Sequence, residues 1–207
     1  MLLLCIILSN FSSVVSDFVT EVMKKWPNTI GQGDDSGWTP LHIAAHMDNE
    51  GFLRLLLAYA DSHANIKNRE GLSALHIAAK EGNYVAMDTL MRLCPDMYEL
   101  LDNKGRNALH AAAESGRFEA FEFLKARPEF EECNSTYEAR PELRSLINEQ
   151  DKEGNTPMHL AAINGHYKIV DKLEHCAGIQ LNATNKEGFT KMDYFLLERE
   201  LQDREPV

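Results

Sequence analysis

Four histidines hold the strongest hint of chemistry in this chain. His42, His76, His110 and His159 each sit just after a Leu or Met and two residues before an Ala pair. Imidazole is the usual general base and the commonest metal ligand, so a recurring histidine raises both possibilities. His42 and His46 stand four residues apart with Asp48 close behind, a spacing that can hold zinc. The set lacks both the Glu-x-x-His context and cysteine ligands, so no metal is assigned. Cys5, Cys94, Cys133 and Cys176 form no C-x-x-C pair and have no patterned His or Asn partner for a nucleophile. Paired carboxylates such as Glu119 and Glu122 fall on solvated helix faces, and glycines spaced 34 apart cannot cradle a phosphate within one turn. The expectation is therefore no enzyme, no cofactor and no metal. The histidines are expected to be structural, each ring bridging backbone groups of adjacent turns.

The elements that carry them repeat. GWTPLHIAA begins at Gly37, GLSALHIAA at Gly71, GRNALHAAA at Gly105, GNTPMHLAA at Gly154 and a weaker GFTKMDYFL at Gly188, at spacings of 34, 34, 49 and 34. Three residues before each Gly stands an Asx residue (Asp34, Asn68, Asp102, Asp151, Asn185), whose side chain can bond its own backbone and start a turn. The Gly supplies a positive φ, so each unit opens with a tight hairpin-like turn. Thr39, Ser73, Asn107 and Thr156 are good N-caps, and Pro40 and Pro157 follow at the first helical position. The first helix should stop at Gly82, Gly116 and Gly165, and at Asp48 in the first unit, where Asp is a costlier substitute. A second helix then carries Leu56, Leu90, Leu124 and Leu173 in register. One helix pair cannot bury its own apolar face, so the units must stack into an all-α solenoid.

The pattern G-x-T-P-L-H-x-A-A-x-x-G at this period resembles the ankyrin repeat and covers residues 34 to about 200. The order GWTPLH, CPDMYELLDNKGRNALHAAAESG, LINEQDKEGNTPMHLAAINGHYKIV is similar to the plant ankyrin proteins of the accelerated-cell-death type. In that family a cytosolic ankyrin array precedes a membrane domain with a Pro-Gly-Gly motif, and members act in defence and cell-death signalling. This sequence has neither that motif nor an apolar 20-mer, so membrane behaviour is not carried over. The resemblance implies a noncatalytic scaffold that binds protein partners, with full-length ankyrin relatives among the candidates, in plant defence or cell-death signalling. It also implies a cytoplasmic location.

In such a stack the turn tips and the exposed side of each first helix line one concave face. Nonrepetitive residues there are the candidates for specificity. They are Trp38, Arg69, Glu70, Leu72, Lys80, Glu81, Lys104, Arg106, Glu114, Lys152, Asn155 and Asn164. Trp38 is the preferred anchor, because aromatics and Arg dominate hot spots. Packing against the neighbouring turn is its alternative, and Arg106 carries the same two readings.

The units divide the chain at 1–33 (apolar N-terminal segment and broken half-repeat), 34–67, 68–101, 102–150 with an insertion at about 127–146, 151–184, and 185–207 (partial terminal repeat and charged tail). A second reading makes residues 1–16 a secretory signal peptide and the chain a secreted ankyrin effector. LLLCIIL provides an apolar core, Val14 and Ser16 suit the cleavage rule, and sequons stand at Asn10, Asn134 and Asn182, but the charged n-region is missing. The unpaired cysteines instead fit reduced thiols of an intracellular protein. A net charge of -11 over 207 residues argues against a general nucleic-acid or anionic-membrane binder, since phosphates are repelled at long range.

Overall fold

The computed structural model describes residues 20–21, 24–25, 31–59, 63–125, 146–176 and 178–194. The expectations for residues 1–16, for the insertion up to residue 145 and for the tail at 198–205 lie outside the described residues. Two compact units are resolved, Met1–Asn103 and Lys104–Val207. Among the described residues the structure is helical, with no strand. The fold class is all-α, built of helix pairs joined by turns.

In the first unit, α1 (Pro40–His46) is followed by α2 (Glu50–Tyr59), then α3 (Ala74–Glu81) and α4 (Tyr84–Leu93), with a 3-10 turn at Pro95–Glu99. Both first helices start where the caps place them. Thr39 donates its backbone N–H to His42 Nδ1 at 3.0 Å, and the Ser73 hydroxyl accepts from the His76 N–H. Each is a capping box with histidine in the seat usually filled by Glu or Gln. The sequence reading assigned those rings to bridging turns and did not foresee their role at the helix start. Ala44, Ala45, Ala78 and Ala79 are fully buried, so α1 and α3 approach with little side-chain bulk between them. α2 packs on α4, with Phe52, Leu53, Met87 and Leu90 sealed from water. Each such side chain is worth roughly 1.5–3 kcal/mol of transfer free energy.

The two helix layers exchange caps. α1 ends at Met47, and Asp48 takes φ 53°, the left-handed conformation expected of it. Asp48 is more than a substitute for glycine there. Its Oδ1 accepts from the Ala86 N–H at 2.6 Å, in the first turn of α4. Asn83, at the N-cap of α4, sends its Nδ2 back to the carbonyls of Ala45 and His46 at the end of α1. Each repeat thus satisfies orphan groups of the other.

The second unit repeats the plan with α5 (Ala108–Glu114), α6 (Phe118–Lys125), α7 (Pro157–Ile163) and α8 (Tyr167–Glu174). α5 packs on α7, and Leu124 and Leu173 are fully buried beneath. The helices exit through the expected glycines. Ser115 and Asn164 cap α5 and α7, and the left-handed residues Gly116 and Gly165 come next. Asn107 is the one amide among the first-helix caps. Its Nδ2 donates to Leu146 O at 3.1 Å and to Glu149 Oε2 at 2.9 Å, which ties the start of α5 to residues 146–149. In the last turn Asp193 takes the histidine's place. Its Oδ2 accepts from the Thr190 N–H and hydroxyl at 2.6 and 2.7 Å, which holds the carboxyl below its usual range.

Candidate functional site

Four of the turns are built alike. The Asx oxygen accepts two backbone N–H groups: Asp34 from Ser36 and Trp38, Asn68 from Glu70 and Leu72, Asp151 from Glu153 and Asn155, and Asn185 from Glu187 and Phe189, all at 2.8–3.1 Å. Turn is then tied to turn by one backbone bond: Arg69 N–H to Ser36 O and Asn103 N–H to Glu70 O in the first unit, Lys152 N–H to Lys104 O and Lys186 N–H to Glu153 O in the second. Glycine is required for φ and for room. Gly71 has φ 81°, and a Cβ on it would lie 2.4 Å from the Asn103 nitrogen.

The histidines complete the frame. In His42 and His159, Nδ1 accepts from the N-cap backbone N–H, so the ring proton resides on Nε2 and is donated to the next turn, to Leu72 O at 2.9 Å and Phe189 O at 3.2 Å. Burial pushes both rings below their ordinary value. His110 faces Asn155 O in the same way at 3.2 Å, but its Nδ1 also stands 2.8 Å from Asn107 Oδ1. Burial brings the group down to about 4, against the Asn155 carbonyl and the Asp151 charge, which favour a second proton, and with the Arg106 charge, which opposes it. His42 therefore has both nitrogens committed, and Asp48 has an oxygen on Ala86. Among the described residues no group of His, Cys, Asp and Glu stands close enough to hold a metal ion.

Upon this frame one rung varies. In the first and third repeats the residue after the turn glycine lies beside the residue eight positions later, at the end of the first helix. In the first repeat the rung is aromatic: the Trp38 ring meets His46 edge-to-face with centroids 5.6 Å apart and His42 at 6.2 Å. In the third it is ionic, Arg106 Nη1 to Glu114 Oε1 at 2.7 Å.

The rung corrects two expected surface residues. Arg106 is turned inward: its Nε also bonds Asp151 Oδ2 at 3.0 Å, and only 12% of its side chain is exposed. Burial alone would lower its pKa, but the bonds to Asp151 and Glu114 outweigh it and hold the guanidinium above its ordinary value. Asn155 is buried too, its Oδ1 accepting from Asn185 Nδ2 at 3.0 Å. Both are drawn in because a neighbouring turn offers a buried Asx side chain as partner. Of the other expected residues, Arg69, Glu70, Lys80, Lys104, Lys152 and Asn164 are exposed, and Trp38, Leu72, Glu81 and Glu114 are half-buried. Trp38, Arg69, Glu70, Leu72, Lys80 and Glu81 belong to the first unit; Lys104, Arg106, Glu114, Lys152, Asn155 and Asn164 belong to the second. His46, in contact with Trp38 and 3.6 Å from Glu81, is not among the expected contact residues. Its place in the repeat register, eight after Trp38, is the signal that pairs them. Phe189 likewise remains exposed beside Tyr194.

Among the described residues no helix is long and apolar enough to cross a membrane. The family described as Ankyrin repeats (3 copies) matches residues 3–93, 56–137 and 98–185. A segment of 48 residues is 40% identical to the Ankyrin repeat-containing protein BDA1 of Arabidopsis thaliana, covering 23% of this chain and 11% of that protein. The chain thus matches a small part of that relative's length. Ankyrin repeats are generally noncatalytic protein-interaction modules, and nothing in these matches points to an enzyme family. Histidine-capped helix pairs tied turn to turn, and a family match over most of the sequence, have one conclusion: the chain belongs to the ankyrin-repeat family.

Proposed function

We propose that this chain is a noncatalytic scaffold that grips a protein partner through its turn tips and the exposed side of its first helices, in plant defence or cell-death signalling. One observation carries the binding surface. The bonds of the frame are the same from repeat to repeat, while the rung residues change from Trp38 and His46 to Leu72 and Lys80 to Arg106 and Glu114. A constant frame with varied, part-exposed side chains is the arrangement on which specificity can be written. The signalling context is supported by the resemblance to plant ankyrin arrays and by the similarity to the Arabidopsis thaliana protein.

Photo-crosslinking tests the surface. A photoactivatable residue at Arg69 or Lys152 is expected to capture a partner from plant extract, and one at Tyr84 or Tyr167 on the second helices is not. Trp38→Ala with Arg69→Ala and Lys152→Ala is expected to abolish capture. Crosslinks confined to the second helices would overturn the assignment.

A further inference from the structure

We propose that Trp38, His46 and Glu81 form a receptor for an arginine side chain of the partner, an inference that rests on the protein-binding reading above. Trp38 is half-buried, and its ring is held upright against His46, centroids 5.6 Å apart and planes at 79°. Among the described residues its indole N–H meets no acceptor. Glu81, the last residue of α3, has its carboxylate 3.6 Å from His46 Nδ1, longer than a hydrogen bond, with 35% of the side chain exposed. An aromatic ring and a loosely engaged carboxylate thus both lie against His46. Asp34, Asp35 and Glu70 add negative charge on the adjoining turns, against the cations Arg69 and Lys80.

The second unit holds an internal precedent. Arg106 occupies the position equivalent to Trp38, and its guanidinium is seated on Glu114, whose place in the first repeat is taken by His46 with the Glu81 carboxylate of the next repeat beside it. This register of the repeat accommodates a guanidinium against a carboxylate at the end of the first helix. In the first repeat the equivalent residue is a ring, so the guanidinium comes from outside. It stacks on Trp38 and bonds Glu81, and a backbone carbonyl of the same partner segment accepts the indole N–H. Arginine fits better than lysine because its planar cation both stacks on a ring and forks onto a carboxylate.

The test uses the full chain and three synthetic peptides of one Gly-Ser-rich sequence with arginine, citrulline or glutamate at the centre. The Trp38 indole N–H resonance, assigned by its loss in Trp38→Phe, reports binding in a nitrogen-15 NMR titration. The arginine peptide is expected to shift that resonance saturably, and its neutral isostere citrulline to bind about tenfold more weakly. Glu81→Gln is expected to weaken arginine binding about tenfold with an unchanged melting curve, and Glu81→Arg to abolish it. Equal binding of arginine and citrulline peptides, no shift with either, or an unaffected Glu81→Gln overturns the receptor. If crosslinks still map to the turn tips, only this inference falls; crosslinks confined to the second helices remove the broader reading instead.

Discussion

Arg106 and Asp151 join two successive repeats through a contact of 3.0 Å that leaves 12% of one side chain and 1% of the other exposed. Asp151 also accepts the N–H groups of Glu153 and Asn155, so its charge is held by three donors. Removing the guanidinium strands a buried carboxylate, and Arg106→Ala is expected to cost about 3 kcal/mol in urea denaturation. Asp151→Asn in the same chain should recover part of this loss, because Asn68 and Asn185 form the equivalent turns without a charge. A double variant no more stable than Arg106→Ala would show that the charge is not the cause.

Stability should fall with acid in a defined window. His42, His110 and His159 are all depressed, first by burial, His110 to about 4. The unfolded chain takes up these protons near pH ~6.5, before the folded one does. The contribution is therefore fully present above ~6.5 and is lost as pH falls through the folded values. For His110 alone the gap corresponds to about 3 kcal/mol. Urea midpoints should drop between pH 7.5 and 4.5, and His110→Gln should flatten that slope.

At Asp48 two effects oppose each other. Glycine would relieve the left-handed strain at φ 53° but lose the bond to the Ala86 N–H. Each is worth about 1 kcal/mol, so Asp48→Gly is expected to be nearly neutral. Asp48→Ala keeps the strain and loses the bond, and should cost about 1 kcal/mol in thermal melting. An Asp48→Gly chain about 1 kcal/mol more stable than the parent would contradict the role of the side chain as a cap.

Alanine at two turn glycines separates backbone strain from crowding. Gly71 and Gly188 share nearly the same φ, 81° and 82°, but a Cβ on Gly71 meets the Asn103 nitrogen at 2.4 Å and one on Gly188 meets nothing within 4 Å. Gly188→Ala should cost about 1 kcal/mol and Gly71→Ala at least twice that. Comparable losses in differential scanning calorimetry would mean that the turns separate readily.

What depends on position within the repeat was legible in the sequence. The Asx turns, the N-caps, the positive-φ glycines and the buried Leu56, Leu90, Leu124 and Leu173 all follow from a local rule applied at each period. What depends on the identity of a neighbour was not. Arg106 looks like a surface residue until Asp151, forty-five residues away, is brought beside it, and Asn155 until Asn185 is. Asp48 reads as a poor glycine until Ala86 offers its N–H. A repeat period names the seat each residue takes but not the side chain seated across from it.

The histidine links have a consequence for how such a surface evolves. His42, His110 and His159 fasten to the carbonyls of Leu72, Asn155 and Phe189, each the residue directly after a turn glycine. That is the variable rung position, yet the ring contacts only its main chain. Mutation can exchange a leucine for an asparagine or a phenylalanine there without disturbing the fastening beneath. Recognition at these three positions is thereby largely uncoupled from the histidine fastening, whereas Arg106, whose side chain holds Asp151, is not free to change.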